Sequence, residues 1–348
     1  MMAARLANTG FAAMLFALAA RAQAAWAQGG ADFYRGKQIT MLVASGAGGG
    51  YDVYARTFAR HASRHLPGSP VVVARNMPAG GGLQAALTLY NVSDKDGLTI
   101  GALTNGVALD PLFGHPGANY DGRKFGWIGS IGKLQNICAT WHTSPVKTIA
   151  DARAREVVVA GAGATSNSAI MPRIANELLG TRFRIITGYD PNAGLNKAME
   201  GGEAEGICGL SWSTLKASRP DWIRDSRLNV LVQFGMEKLP DLPNVPAALD
   251  LVTDESRRKV LELILIRQEV GRPFATPPAI PADRLAILRA AFDATMQDSE
   301  FRAEAAKLNL EIEPLTGARI DAFMHDAYAT PKQLVEQAAS LVMPPGSR

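Results

Sequence analysis

Apolar positions along the chain fall into short runs that alternate in kind. Gln38-Ile39-Thr40-Met41-Leu42-Val43, Val71-Val72-Val73 and Leu98-Thr99-Ile100-Gly101-Ala102-Leu103 are β-rich and bounded by turn residues, the pattern of buried strands. Between them, Val53, Phe58, Ala59 and Leu66 recur at helical spacing and predict a helix to about His65; Leu83, Leu87 and Leu89 predict a second. This β–α–β–α–β alternation implies a parallel sheet. Strands at 125–131 and 137–141 carry the chain onward, and the plan then repeats from Val157-Val158-Val159-Ala160. A helix through Ile170, Ile174 and Leu178, strands at 183–186, 207–210 and 228–234, and a helix through Leu195 and Met199 make a second α/β unit. The tail reads as amphipathic helices at 254–267 and 282–298, split by a proline-rich crossing at 272–278. A strand-like piece at 310–315 and one or two helices over 320–341 follow, and the tail is expected to pack on the first unit.

The polar positions gather where predicted strands end. In open α/β sheets a ligand sits at the carboxyl ends of the strands. In the first unit those ends hold Ser45, Ala47, Gly48, Gly49, Gly50, Tyr51 and Asp52, then Ala79 and Gly80, then Thr104 and Asn105. In the second they hold Gly163, Thr165, Ser166 and Asn167, then Tyr189 and Asn192, then Trp212. These residues form the candidate ligand site. A glycine-rich strand-to-helix turn lets the backbone approach a ligand and aims free N–H groups and a helix dipole at it, which favours an anion. Gly46-Ala47-Gly48-Gly49-Gly50-Tyr51 ends in tyrosine where a dinucleotide fingerprint needs glycine, and no Gly-Lys-Ser/Thr follows as in a phosphate loop. A carboxylate is therefore favoured over a nucleotide. Asp52 has two roles open to it, stabilising the helix N-terminus or orienting the loop toward a ligand.

The first residues alter the setting. Arg5, an apolar stretch at 11–20 and small residues up to Ala25-Trp26-Ala27 match a secretory signal peptide over 1–27, too short to span a bilayer. No cysteine lies near the cleavage point and no twin arginine precedes the apolar run. The remaining ~320 residues suffice for two domains. Loss of Arg5 and Arg21 lowers the formal charge from +4 to about +2, which gives no reason to invoke nucleic acid. Cys138 and Cys208 lie in apolar strand-like runs; export permits a disulfide, and both a bridge and two buried thiols stay open.

Catalytic patterns do not assemble. Gly209-Leu210-Ser211-Trp212-Ser213 is one glycine short of a nucleophile elbow. His61 and His65 share a helix face without the His-Glu-x-x-His zinc pattern and read as a solvated face. Glu200, Glu203 and Glu205 read as a solvated turn. No cofactor, metal or catalytic residue is expected.

Several of these landmarks, in order, resemble one family. Lys37-Gln38-Ile39, Ala47-Gly48-Gly49-Gly50-Tyr51-Asp52 with Ala55-Arg56, Asn76-Met77-Pro78-Ala79-Gly80-Gly81 and Asp96-Gly97 make up the first half. Gly161-Ala162-Gly163, Gly188-Tyr189, Gly201-Gly202, Leu239-Pro240-Asp241-Leu242-Pro243, Thr276-Pro277 and Pro281-Ala282-Asp283-Arg284-Leu285 continue it. The chain resembles the substrate-binding proteins of tripartite tricarboxylate transporters, the Bug family. That resemblance implies a two-lobed periplasmic binding protein of the Venus-flytrap, type II-like kind, with two α/β domains joined by crossing hinge strands. The domains would be 32–136 plus 236–348, and 137–235. It also implies that main-chain N–H groups and bridging waters hold a ligand carboxylate, here at Ala47, Gly48, Gly49, Tyr51 and Asp52 and at Gly163, Thr165 and Ser166. Ala44-Ser45 stand where the family usually has proline and an aromatic, Tyr51 where threonine is frequent, and Gly188-Tyr189 where Pro-Tyr is usual. With Tyr51, Tyr189 and Trp212 beside the site, these departures favour a carboxylate with a larger or flatter body than malate.

The expected function is capture of a small organic carboxylate in the periplasm, as a monomer, for delivery to the membrane subunits of a tripartite transporter. An extracytoplasmic sensor for a two-component system and an enzyme on the same fold are the alternatives.

Overall fold

The computed structural model describes residues 32–191 and 193–343; the expected leader and Asn192 lie outside them. Two mixed sheets organise the chain. The first has the order β11-β4-β10-β3-β1-β2, built from β1 (Gln38–Val43), β2 (Val71–Asn76), β3 (Thr99–Ala102), β4 (Gly126–Ser130), β10 (Pro273–Thr276) and β11 (Leu315–Thr316). The second has the order β7-β6-β8-β5-β9, built from β5 (Asn136–Trp141), β6 (Val157–Gly161), β7 (Phe183–Thr187), β8 (Gly206–Ser211) and β9 (Leu228–Phe234). The result is the two-lobed α/β fold that the strand–helix alternation and the resemblance implied.

The predicted parallel pairing is found where helices connect the strands. β1 pairs in parallel with β2 and β3, and β6 with β7 and β8. The remaining pairs are antiparallel, so neither sheet is purely parallel. The crossing at 272–278 contains β10, a strand inserted between β3 and β4. Its proline opens the strand, where a missing N–H is tolerated. The piece at 310–315 forms a strand only at its end, as β11.

β1 is buried on both faces, as a central strand between helical layers must be. Ile39, Met41 and Val43 point into one core with Phe58, Phe274 and Phe292, where the Phe58 ring lies 4.7 Å from Phe274 and 5.6 Å from Phe292. Leu42 and Ala44 point into another that continues into the second lobe through Cys138 and Val159. The outer face of the second sheet buries Ile207, Met199 and Trp222.

The helices Ala282–Gln297 and Ser299–Lys307 pack on the first lobe as expected. The last helix, Lys332–Val342, also reaches the second lobe. It packs on the helix Glu255–Glu269 and on the second-lobe helix Asn167–Ile174. His61 and His65 are not a solvated face. His61 is buried and bonds Glu304 at 2.6 Å, and His65 bonds Asp298 at 2.8 Å, joining the helix Gly50–Ala62 and the short turn after it to the 299–307 helix. The glutamate turn is solvated at Glu200 and Glu203, with surface pairs from Glu205 to Arg155 at 2.9 and 3.0 Å and from Glu200 to Arg219 at 2.6 Å.

Cys138 and Cys208 are joined as a disulfide between β5 and β8, where they face each other in register.

Candidate functional site

Both lobes turn the carboxyl ends of their strands toward one cleft of about 650 Å³, within the range of ligand pockets. The first wall begins where β1 ends. Gly48 adopts a left-handed φ of 76°, open to glycine and costly for other residues. Its N–H donates to Asp52 Oδ2 at 2.9 Å. Asp52 Oδ1 accepts from Arg56 Nε at 2.9 Å and from Asn76 Nδ2 at 2.7 Å, and Asn76 donates as well to the Ser45 carbonyl at 2.9 Å. Asp52 therefore clamps the glycine turn to the end of β2. Burial pushes its carboxyl up, but the bonds from Gly48, Asn76 and Arg56 outweigh that and hold it below the usual range.

The first N–H groups of an α-helix have no acceptor within it. At the start of the 50–62 helix, Gly49, Gly50 and Tyr51 line the cleft. The Tyr51 phenol oxygen accepts from the Asn105 N–H at 3.1 Å, and burial pushes the phenol's pKa up. Thr104, Asn105 and Gly106, after β3, complete this wall with Pro78, Gly80 and Gly81.

The second wall repeats the device. β6 ends at Gly161, and Ser166 stands at the N-cap position of the helix Asn167–Ile174 without a side-chain capping bond. Ser166 N and Oγ both donate to the Gly163 carbonyl, at 2.9 and 2.7 Å, while Ser168 Oγ accepts from the Ala162 N–H at 2.9 Å. Gly209 of β8 lies beneath the start of this helix with φ of 77°; a Cβ there would stand 2.3 Å from the Asn167 carbonyl oxygen. Only glycine lets strand and helix meet that closely. Arg173 Nη2 donates to the carbonyls of Ala164 at 2.9 Å and Val342 at 3.0 Å, so the end of the last helix is tied to this turn. Burial lowers the Arg173 pKa.

Ser45, Gly49, Gly50, Tyr51, Gly80, Thr104, Asn105, Gly163, Thr165, Ser166, Asn167 and Tyr189 are thus brought together around one space. Ala47, Gly48, Asp52 and Ala79 are not among the lining residues: Ala47, Gly48 and Ala79 face solvent and Asp52 is buried behind the turn. Trp212 is elsewhere. It is 4% exposed in the second-lobe core, donates from Nε1 to Asp241 Oδ2 at 2.9 Å, and borders a separate cavity of about 130 Å³. Its strand end, Ser211, caps the helix Trp212–Ser218, which turns the indole away from the cleft.

Sequence reasoning missed part of the lining. Leu83, Ile170, Val342 and Met343 supply apolar surface, and Asp110, His115 and Arg267 supply polar and charged groups. Arg267 had one visible signal, a cation directly after the apolar run Leu263-Ile264-Leu265-Ile266 of a helix expected to pack.

No protein-family model matches the chain. Over 232 residues, 63% of this chain, it is 28% identical to a UPF0065 protein of Agrobacterium vitis from the TAR-I ttuE-ttuC' intergenic region, and the chain spans 64% of that relative's length. Among solved structures, the periplasmic binding protein BugD is 19% identical with a TM-score of 0.67, over 89% of this chain and 99% of its own. MatC from Rhodopseudomonas palustris, solved with bound malate, is 18% identical with a TM-score of 0.64, over 87% of this chain and 99% of its own. Identities at that level show a shared fold. In its motifs and in its fold the chain is similar to the Bug-type periplasmic solute-binding proteins of tripartite tricarboxylate transport.

Proposed function

We propose that this chain is an exported, non-enzymatic solute-binding protein that takes a small organic carboxylate into the cleft and delivers it to the membrane subunits of a tripartite transporter. The observation that carries the reading is the convergence of two helix N-termini, from opposite lobes, on one cleft. Each presents backbone N–H groups and the positive end of a helix dipole, a pairing suited to an anion and indifferent to the rest of the molecule. The likeness to MatC, which was solved with malate, supports a carboxylate. The apolar lining from Leu83, Ile170 and Met343 supports a ligand with a carbon body larger than that of malate. Residues 1–27, read as a leader, support delivery to the periplasm.

A thermal-shift screen of the mature protein against organic acids tests this. A ligand at a hundredfold excess over its Kd stabilises by about 2.7 kcal/mol, enough to move the melting temperature by several degrees. A panel of mono-, di- and tricarboxylates that leaves the melting temperature unmoved would reject the function.

A further inference from the structure

The cleft contains a buried cation whose donors are unfilled. Arg267, on the 255–269 helix, is 6% exposed and lines the cleft. Its Nη2 stands 3.7 Å from Asp110 Oδ1, beyond hydrogen-bond distance. Its Nε and Nη1 are buried with no hydrogen-bond partner. A buried guanidinium normally has its donors matched, because an unmatched buried charge is strongly destabilising. The space it occupies is kept open by Gly106: a Cβ there would lie 2.5 Å from Arg267 Nη2 and 3.0 Å from each Asp110 carboxylate oxygen.

Resting on the carboxylate reading of the cleft, we infer that Arg267 is a second acid-binding subsite and that the ligand is a diacid with an apolar spacer. One carboxylate sits at the helix N-termini. The other displaces Asp110 at Arg267 Nη2, beside Gly106, and the rest of the guanidinium adds its charge to that contact. Leu83, Ile170 and Met343 face the methylenes or ring between them. Asp110, whose side chain is 17% exposed, balances the arginine charge in the empty cleft and yields to the ligand because its own contact is loose. A monoacid leaves Arg267 unfilled and gains nothing from it.

Calorimetric titration with matched pairs tests the subsite: adipate against hexanoate, suberate against octanoate, terephthalate against benzoate. In the natural protein the better diacid should bind at least tenfold more tightly than its monoacid. Arg267→Gln should bring that ratio within threefold by weakening the diacid alone. Asp110→Asn removes the competitor and should tighten the diacid several-fold, an effect opposite in sign to that of Arg267→Gln. Should Arg267→Gln fail to fold, the natural protein's ratio and Asp110→Asn still decide. Monoacids binding as tightly as diacids, or both variants weakening all ligands alike, would overturn the subsite while leaving the carboxylate reading intact. Absence of binding by every acid of both classes would remove the carboxylate reading, and the subsite with it.

Discussion

The Tyr51 phenol oxygen accepts the Asn105 N–H at 3.1 Å, joining the first turn of the 50–62 helix to the end of β3. Two of the three polar strand ends of the first lobe are thereby held in one arrangement. Tyr51→Phe removes the acceptor and leaves a buried amide unmatched, at a cost of about 1–3 kcal/mol. The expected outcome is a lower melting temperature and weaker binding, by roughly five- to twentyfold. Since burial raises the phenol's pKa, Tyr51 stays neutral through the neutral range, and binding should show no limb from it below about pH 10.

Asp52 is the clamp of the glycine turn, so Asp52→Ala should unhook Gly48 and Asn76 together. Affinity should fall more than tenfold, although Asp52 does not line the cleft. Exchange of the Gly48 amide with solvent deuterium, followed in both proteins, separates the causes: faster exchange at Gly48 is expected if the clamp is what was lost.

Acid stability should depend on Asp298. The Phe301 N–H, helped by His65, Glu300 and Arg64, holds its carboxyl at about 2 against the opposing effect of burial. A carboxylate with a depressed folded pKa stabilises fully above its unfolded value, about 4, and loses that contribution as pH falls toward about 2. Asp52 acts with the same sign. Melting temperatures between pH 6 and pH 2 should therefore fall less steeply below pH 4 in Asp298→Asn than in the natural protein. Parallel curves would contradict this assignment.

The disulfide should matter for stability and not for binding. Cys138 and Cys208 are both buried and neither lines the cleft. A bridge closing a loop of this length is worth about 2–5 kcal/mol. Denaturant unfolding of the Cys138→Ala, Cys208→Ala double variant should show that loss, with diacid affinity within twofold of the natural protein.

Arg272 links the lobes from behind. Its guanidinium lies 3.9 Å from the Tyr54 ring centre in the first lobe and donates to Ser213 Oγ at 3.2 Å and Thr214 Oγ1 at 3.3 Å in the second. Stacking and two hydrogen bonds of this kind are together worth on the order of 2 kcal/mol. Arg272→Gln should loosen the lobes and enlarge the ligand-free radius of gyration in small-angle scattering, with saturating ligand reducing it in both proteins. An unchanged radius with and without a bound ligand would argue against closure.

Much of this was legible in the sequence because the signals were local. The runs around Ile39, Val72 and Val158 specify strands through burial and β-branching, and the glycine turns mark where they stop. The Trp212 orientation was not legible, since a residue beside a strand end faces either the cleft or the core depending on how the next helix leaves. His61 and His65 misled for a related reason: an i, i+4 pair defines a face, but Glu304 and Asp298, more than 230 positions away, decide what covers it. Arg267 and Asp110 meet through tertiary packing alone, at a separation no spacing rule reaches.

The first glycine turn and the second small-residue turn act together on one carboxylate. Calorimetric titration of the natural protein and of Gly49→Val, side by side, with the tightest acid of the panel tests this most directly. Gly49 lines the cleft with φ −72° and ψ 163°, so valine adds a side chain to the cleft-lining turn without backbone strain. One-to-one binding is expected for the natural protein and none for Gly49→Val, whose ligand-free melting temperature stays within a few degrees. Equal affinity in the two proteins would contradict it.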